Sequence, residues 1–158
     1  RTIPDPGALK TYKLTYKGKW FEYTNAFSAN DPFSTVSIWN RLSKQFFVGE
    51  KKICLFYSRK DRMQRSIDMA QTLASLPIDC FIVIGQGTKF FCKSIKRHGV
   101  SDDKIIDLGM EHPKNIFESC YQEGASKNFV FCAGNIVGLG MEFMEYINRL
   151  HSGSDKER

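Results

Sequence analysis

The sequence predicts an α/β fold: a Rossmann-like, doubly wound, mostly parallel sheet with helices on both faces and an extra hairpin at its start. Three observations predict it. Strand-like and helix-like segments alternate along most of the chain, as parallel strands joined by crossovers require. The strand candidates ICLFY, CFIVIG and FVFCAG are continuous apolar runs, which two-sided burial demands. The segments between them repeat apolar residues at helical spacing.

The elements follow in order. TYKLTYKGKWFEYTNAF contains two alternating runs around Lys17-Gly18-Lys19 and predicts a hairpin. Strands are expected at Trp20–Phe27, Lys52–Tyr57, Asp79–Ile84, Lys104–Leu108 and Asn128–Cys132. Helices are expected at about 33–47, 62–75, 88–98, 113–123 and 140–151. In the last of these Phe143, Tyr146, Ile147 and Leu150 fall on one face, and Met63, Ile67, Ala70 and Leu73 do much the same in the second. Asp61 is the expected N-cap of that second helix, and Gly99 the residue just past the end of the third. Residues 1–150 are read as one domain, and the remaining 151–158, ending SGSDKER, as a polar tail expected to be disordered.

Composition bounds the function. A chain of 158 residues, 42% hydrophobic, can bury one core. No stretch approaches the roughly 20 apolar residues of a membrane span. The opening RTIPDPG lacks an initiator Met and reads as a cut from a longer protein whose preceding part carries half of the activity. The five Cys form no CxxC pair and the three His are scattered, so a reducing compartment and no structural metal are expected. A net charge of +6 favours anionic partners. It is dispersed except at RKDRMQR, with no basic tract interleaved with aromatics, so no nucleic-acid partner is expected.

In such sheets ligands bind beyond the carboxyl ends of the strands, which makes four strand-to-helix turns the candidates. In SANDPF, Asp31 suits a cap and Pro32 the first helical position, while Asn30 and Ser34 could present polar groups to an anion at the helix start. In SRKDRMQR, the cations Arg59, Lys60, Arg62 and Arg65 surround a helix start, against the dipole unless an anion is present. Arg59, Arg62 and Arg65 are spaced to share a face where helical. They form either a solvated basic face or a clamp for phosphate or carboxylate. In GQGTK, Gly85 and Gly87 allow a tight turn, but GxGxxG fails at Phe90. In AGNIVGLGME, the glycines around Asn135 mean either close approach to a ligand or close helix–sheet packing. No GxxxxGK[ST] occurs, since Lys13 and Trp20 stand where it would need Gly and Ser/Thr, and no nucleophile–base arrangement is suggested. No catalytic residue is therefore expected within this chain.

Together NAFSANDPFST, RKDRMQR, GxGT and GNIVGLGME resemble the poly-γ-glutamate synthase ligase subunit (PgsB/CapB type), a family similar to the Mur ligases and folylpolyglutamate synthetases. The resemblance covers about residues 4–150 and matches the C-terminal domain. It implies an ATP-dependent amide ligase in which a P-loop domain upstream binds ATP and Mg²⁺ and makes an acyl phosphate that an amine attacks. The C-terminal domain then closes over that site. By motif position Asn30 would face nucleotide, and Arg59, Asp61, Arg62 and Arg65 would match the basic run. Tyr57 and Lys60 depart from that run's usual Asn and small residue, and Asn25 stands where Mur enzymes often have Asp. The expected partners are the upstream P-loop domain, glutamate or polyglutamate, and membrane subunits of a polymer synthase, with the protein at the cytoplasmic face of the membrane. The rival readings are a non-catalytic nucleotide- or phosphate-binding regulatory module and, third, a basic domain that binds RNA.

Overall fold

The protein was analysed as a computed structural model, which describes residues 9–27, 31–45 and 49–156, with side chains as far as 153. The hairpin forms where alternation predicts it. Strands β1 (Thr11–Tyr16) and β2 (Lys19–Asn25) pair antiparallel, with Tyr16 opposite Lys19. Lys17 and Gly18 are therefore the whole turn, and both take positive φ, 47° and 82°. That is the turn shape whose twist matches the strands it joins. The Lys17 ammonium lies 5.1 Å from the centre of the Tyr16 ring, a cation–π contact that helps hold the turn.

Four more strands, β3 (Lys51–Ser58), β4 (Cys80–Gly85), β5 (Ile105–Gly109) and β6 (Lys127–Gly134), complete a six-stranded sheet in the order β1-β2-β6-β3-β4-β5. All neighbours except β1 and β2 run parallel. Helices α1 (Pro32–Ser43), α2 (Met63–Ala74), α3 (Thr88–Arg97) and α4 (Pro113–Glu123) supply the crossovers, and α5 (Leu139–Lys156) follows the last strand.

The strand residues divide by parity, as a pleated sheet covered on both faces must. Cys54 and Phe56 pack with Trp39 of α1, Met69 of α2 and Phe91 of α3. Ile53, Leu55 and Tyr57 pack with Phe117 of α4 and Phe143 of α5 on the other face. Phe56 stacks on Phe91 with the rings 7° from parallel. All five cysteines are free and buried, and burial pushes the Cys80 and Cys92 thiols up to about 11. Among the described residues no helix is long and apolar enough to cross a membrane.

The boundaries differ from expectation in physically readable ways. The first parallel strand stops at Asn25 rather than Phe27, because the Asn25 Oδ1 accepts the N–H of Phe27 and turns the chain out of the ladder. Helix α1 ends at Ser43, short of 47, and residues 46–48 lie outside the described residues. Lys104 belongs to a 3-10 turn, Asp102–Lys104, and not to β5. Helix α5 runs through Gly153 to Lys156, past its expected end at 151. A single glycine weakens a helix by about 1 kcal/mol and does not by itself end one.

Asp61 does not cap the second helix. The chain first makes a 3-10 turn over Lys60–Arg62, so the cap position passes to Arg62, which supplies no side-chain bond. Gly99 does follow the end of α3, at φ 99°. Asp31 caps α1 as expected: its Oδ1 accepts the Ser34 N–H at 2.9 Å, and Pro32 opens the helix. Asp31→Ala is expected to lower stability by about 1 kcal/mol in urea unfolding at neutral pH. The Ser34 N–H, first among several donors, holds the Asp31 carboxyl below its ordinary 3.8. The folded-state value is thus depressed, so this stabilisation is present above 3.8 and lost as pH falls through the lowered value. The deficit of the variant against the wild type should narrow over that acid range.

Candidate functional site at the carboxyl edge

The chain leaves β2 through α1, passes over the place later filled by β6, and enters β3. It steps outward to β4 and β5, then returns through α4 to β6. The strand order therefore reverses around β6. The carboxyl ends of β2, β6 and β3 therefore lie side by side, at the edge where α/β sheets of this kind bind ligands.

Asn30 lies outside the described residues. Ser34 is buried in the first turn of α1 with its N–H spent on Asp31. Arg59 is extended at the end of β3 and donates through Nη2 to Asp61 Oδ2 at 2.8 Å. Their side chains are 29% and 54% exposed. Such a pair orients two side chains and adds little stability. The three arginines do not share a helical face. Arg59 is extended, Arg62 sits at the bend before α2 (φ −129°, ψ 41°), and only Arg65 is inside the helix. Arg62 is exposed and Arg65 half-buried. Among the described residues no ion pair engages either one.

The structure brings the second and third turns together. The Gln86 N–H donates to the Ser58 carbonyl at 2.9 Å. Gly85 (φ 104°) allows this, since a Cβ there would lie 2.1 Å from the Ser58 oxygen. Gly87 begins α3 in the left-handed region, against Met63 at the start of α2. In the fourth turn the glycines permit close packing: a Cβ at Gly134 would lie 2.5 Å from the Tyr57 oxygen, and one at Gly140 2.9 Å from the Asn135 oxygen. Asn135 is buried, and both its N–H and its Nδ2 donate to the Tyr57 carbonyl at 3.1 Å.

Sequence reasoning missed two features of this edge. A hollow of about 370 Å³ lies between the turn after β5 and the start of α5, lined by Met110, Glu111, His112, Pro113, Leu139 and Glu142. The Asn115 side chain and the His112 N–H donate to Glu111 and lower its carboxyl's pKa. The second feature is apolar. Phe33, Met110, Val137, Phe90 and Met141 are 75%, 62%, 61%, 57% and 47% exposed, and each lies in the loop after a strand's carboxyl end or in the first turn of the helix that follows it. The only other exposed large hydrophobic among the described residues is Ile67 on α2. Paired apolar residues at helix starts, Phe33 after Pro32 and Phe90 beside buried Phe91, are the sequence signal that could have exposed this rim.

The doubly wound α/β fold is one that this chain shares with part of several solved Mur-type ligases. The structure of a UDP-N-acetylmuramoyl-L-alanyl-D-glutamate–2,6-diaminopimelate ligase superposes with a TM-score of 0.58 at 13% identity, covering 95% of this chain and 33% of that one. A bifunctional folylpolyglutamate synthase/dihydrofolate synthase from Yersinia pestis, solved with AMPPNP and a manganese ion, gives 0.55 at 16% identity, covering 93% and 32%. These likenesses establish the fold. The family follows from the sequence: residues 11–150 match the poly-gamma-glutamate synthase CapB C-terminal domain, and the chain belongs to that family. It is 27% identical over 146 residues to PGA synthase CapB of Bacillus subtilis (strain 168), covering 92% of this chain and 37% of that protein. It is 26% identical over 145 residues to the capsule biosynthesis protein CapB of Bacillus anthracis, covering 91% and 31%. The chain thus spans about a third of the length of these relatives.

Proposed function

We propose that this chain is the C-terminal domain of an ATP-dependent amide ligase that forms poly-γ-glutamate through an acyl phosphate, for a capsule or extracellular polymer. Family membership supports the ligase class. The observation that carries the domain's role is the apolar rim on the same edge as the cationic turn. Exposed apolar side chains gathered at one edge suit a surface that another body covers, and the strand order sets them on both sides of the cations. The body proposed to cover them is a P-loop domain of the same protein.

The chain's own residues fit the nucleotide in part. Arg62 and Arg65 present guanidinium groups that no ion pair engages among the described residues, at a helix start where their charge is unfavourable until an anion arrives. Arg59, steadied by Asp61, adds a third. Such donors suit phosphate oxygens or the carboxylates of glutamate. Phosphoryl transfer depends chiefly on positioning and charge stabilisation, so cations delivered by a closing domain are useful to it. Asn30, Ser34 and the glycine turns at 85 and 87 are assigned to contacts with the nucleotide. Among the described residues no group of three or more acidic, His or Cys side chains gathers as metal ligands, so Mg²⁺ is assigned to the P-loop domain. Attachment to membrane subunits at the cytoplasmic face is assigned to other parts of the protein.

ADP release tests this division of labour. The whole protein with ATP, Mg²⁺ and glutamate should release ADP, and residues 1–158 alone should release none. Turnover by the isolated chain would place the engine here and overturn the reading.

A further inference from the structure

Tyr57 sits at the centre of the switch point, and the ligase reading leaves it without a role. Its hydroxyl donates to the Val137 carbonyl at 3.0 Å and accepts the Leu139 N–H at 3.4 Å. Its own carbonyl accepts the two bonds from Asn135. Four glycines close around it. A Cβ would lie 2.7 Å from its ring at Gly85, 2.5 Å from its carbonyl oxygen at Gly134, 3.0 Å from its hydroxyl at Gly138 and 3.2 Å from its ring at Gly140. One residue thus grips both ends of the turn 135–139 between β6 and α5.

Packing alone does not require the hydroxyl, because Phe would fill the same space. A buried phenol stays favourable only if its hydroxyl is bonded, and here both of its bonds go to the turn. That turn leads into Leu139 and Glu142, which line the hollow together with Glu111. Carboxylates at a hollow suit a cationic amine and repel phosphate.

We propose that Tyr57 is a positioning residue, whose hydroxyl fixes the β6–α5 turn in the shape that receives the amine-bearing amino acid. The proposal rests on the ligase reading above. Without the hydroxyl the turn samples other shapes. Apparent affinity then falls by the fraction of time the competent shape is present, while the complex, once formed, reacts at the same rate.

Tyr57→Phe in the whole protein should raise KM for glutamate about tenfold, leaving KM for ATP unchanged and kcat within about twofold. Hydrogen exchange at the Leu139 amide of residues 1–158 should quicken by a similar factor, without change in the strands. Gly138→Ala pushes the turn from its other side and should reproduce the KM effect, so the test does not depend on one variant folding. Faster Leu139 exchange with an unchanged KM for glutamate would overturn the proposal, as would a loss confined to kcat. A wild-type protein that forms no amide would instead overturn the ligase reading, and the proposal with it.

Discussion

Gly134→Ala is expected to destabilise the domain by about 3 kcal/mol, the sum of backbone strain and overpacking. Gly134 has φ 102°, in the region that L side chains rarely adopt. The added methyl carbon would lie 2.5 Å from the Tyr57 oxygen and 3.1 Å from its nitrogen. Both are backbone atoms of the neighbouring central strand, where Gly134 is the register partner of Tyr57. No side chain can swing aside, so relief requires parting the strands. At this chain length that cost corresponds to a fall in Tm of roughly 10 °C. Gly18→Ala is the control. Its φ of 82° is also positive, but nothing lies within 4 Å of the added carbon. It should cost about 1 kcal/mol, the conformational part alone. Equal losses in the two variants, read by thermal unfolding, would show that close packing is not what Gly134 serves.

The second large effect falls on activity. Arg62→Ala in the whole protein is expected to lower the rate of amide formation about 100-fold, the scale for loss of one preorganised charged donor. Tm should move by less than about 1 °C, since Arg62 is exposed and no ion pair engages it among the described residues. Arg62→Lys should recover part of the rate, because it keeps the charge and loses the planar fork. A large fall in Tm with the rate retained would make Arg62 a structural residue.

The fold was legible because its determinants are local. Continuous apolar runs announced strands buried on two faces, and Lys17-Gly18 announced the hairpin. Asp31-Pro32 announced a helix start, borne out by the bond from the Ser34 N–H. What stayed hidden depends on residues far apart in sequence. Whether the glycines around Asn135 admit a ligand or a side chain depends on Tyr57, nearly eighty positions earlier. Asp61 has the composition of a cap, yet an intervening 3-10 turn aims it at Arg59 instead. The three arginines looked like one face only because helical spacing was extended backwards into a strand end. The apolar rim escaped notice because Phe33 and Phe90 stand in helices whose other apolar residues are buried or partly buried, and periodicity alone does not say which face will be left open.

The most direct test of the central claim is mass spectrometry, with linkage analysis, of the product that the whole protein makes from glutamate, ATP and Mg²⁺. The account predicts glutamate oligomers joined through the side-chain carboxyl, formed only when this domain is present. Oligomers joined through the main-chain carboxyl would contradict it, as would γ-linked product made equally well by protein lacking residues 1–158.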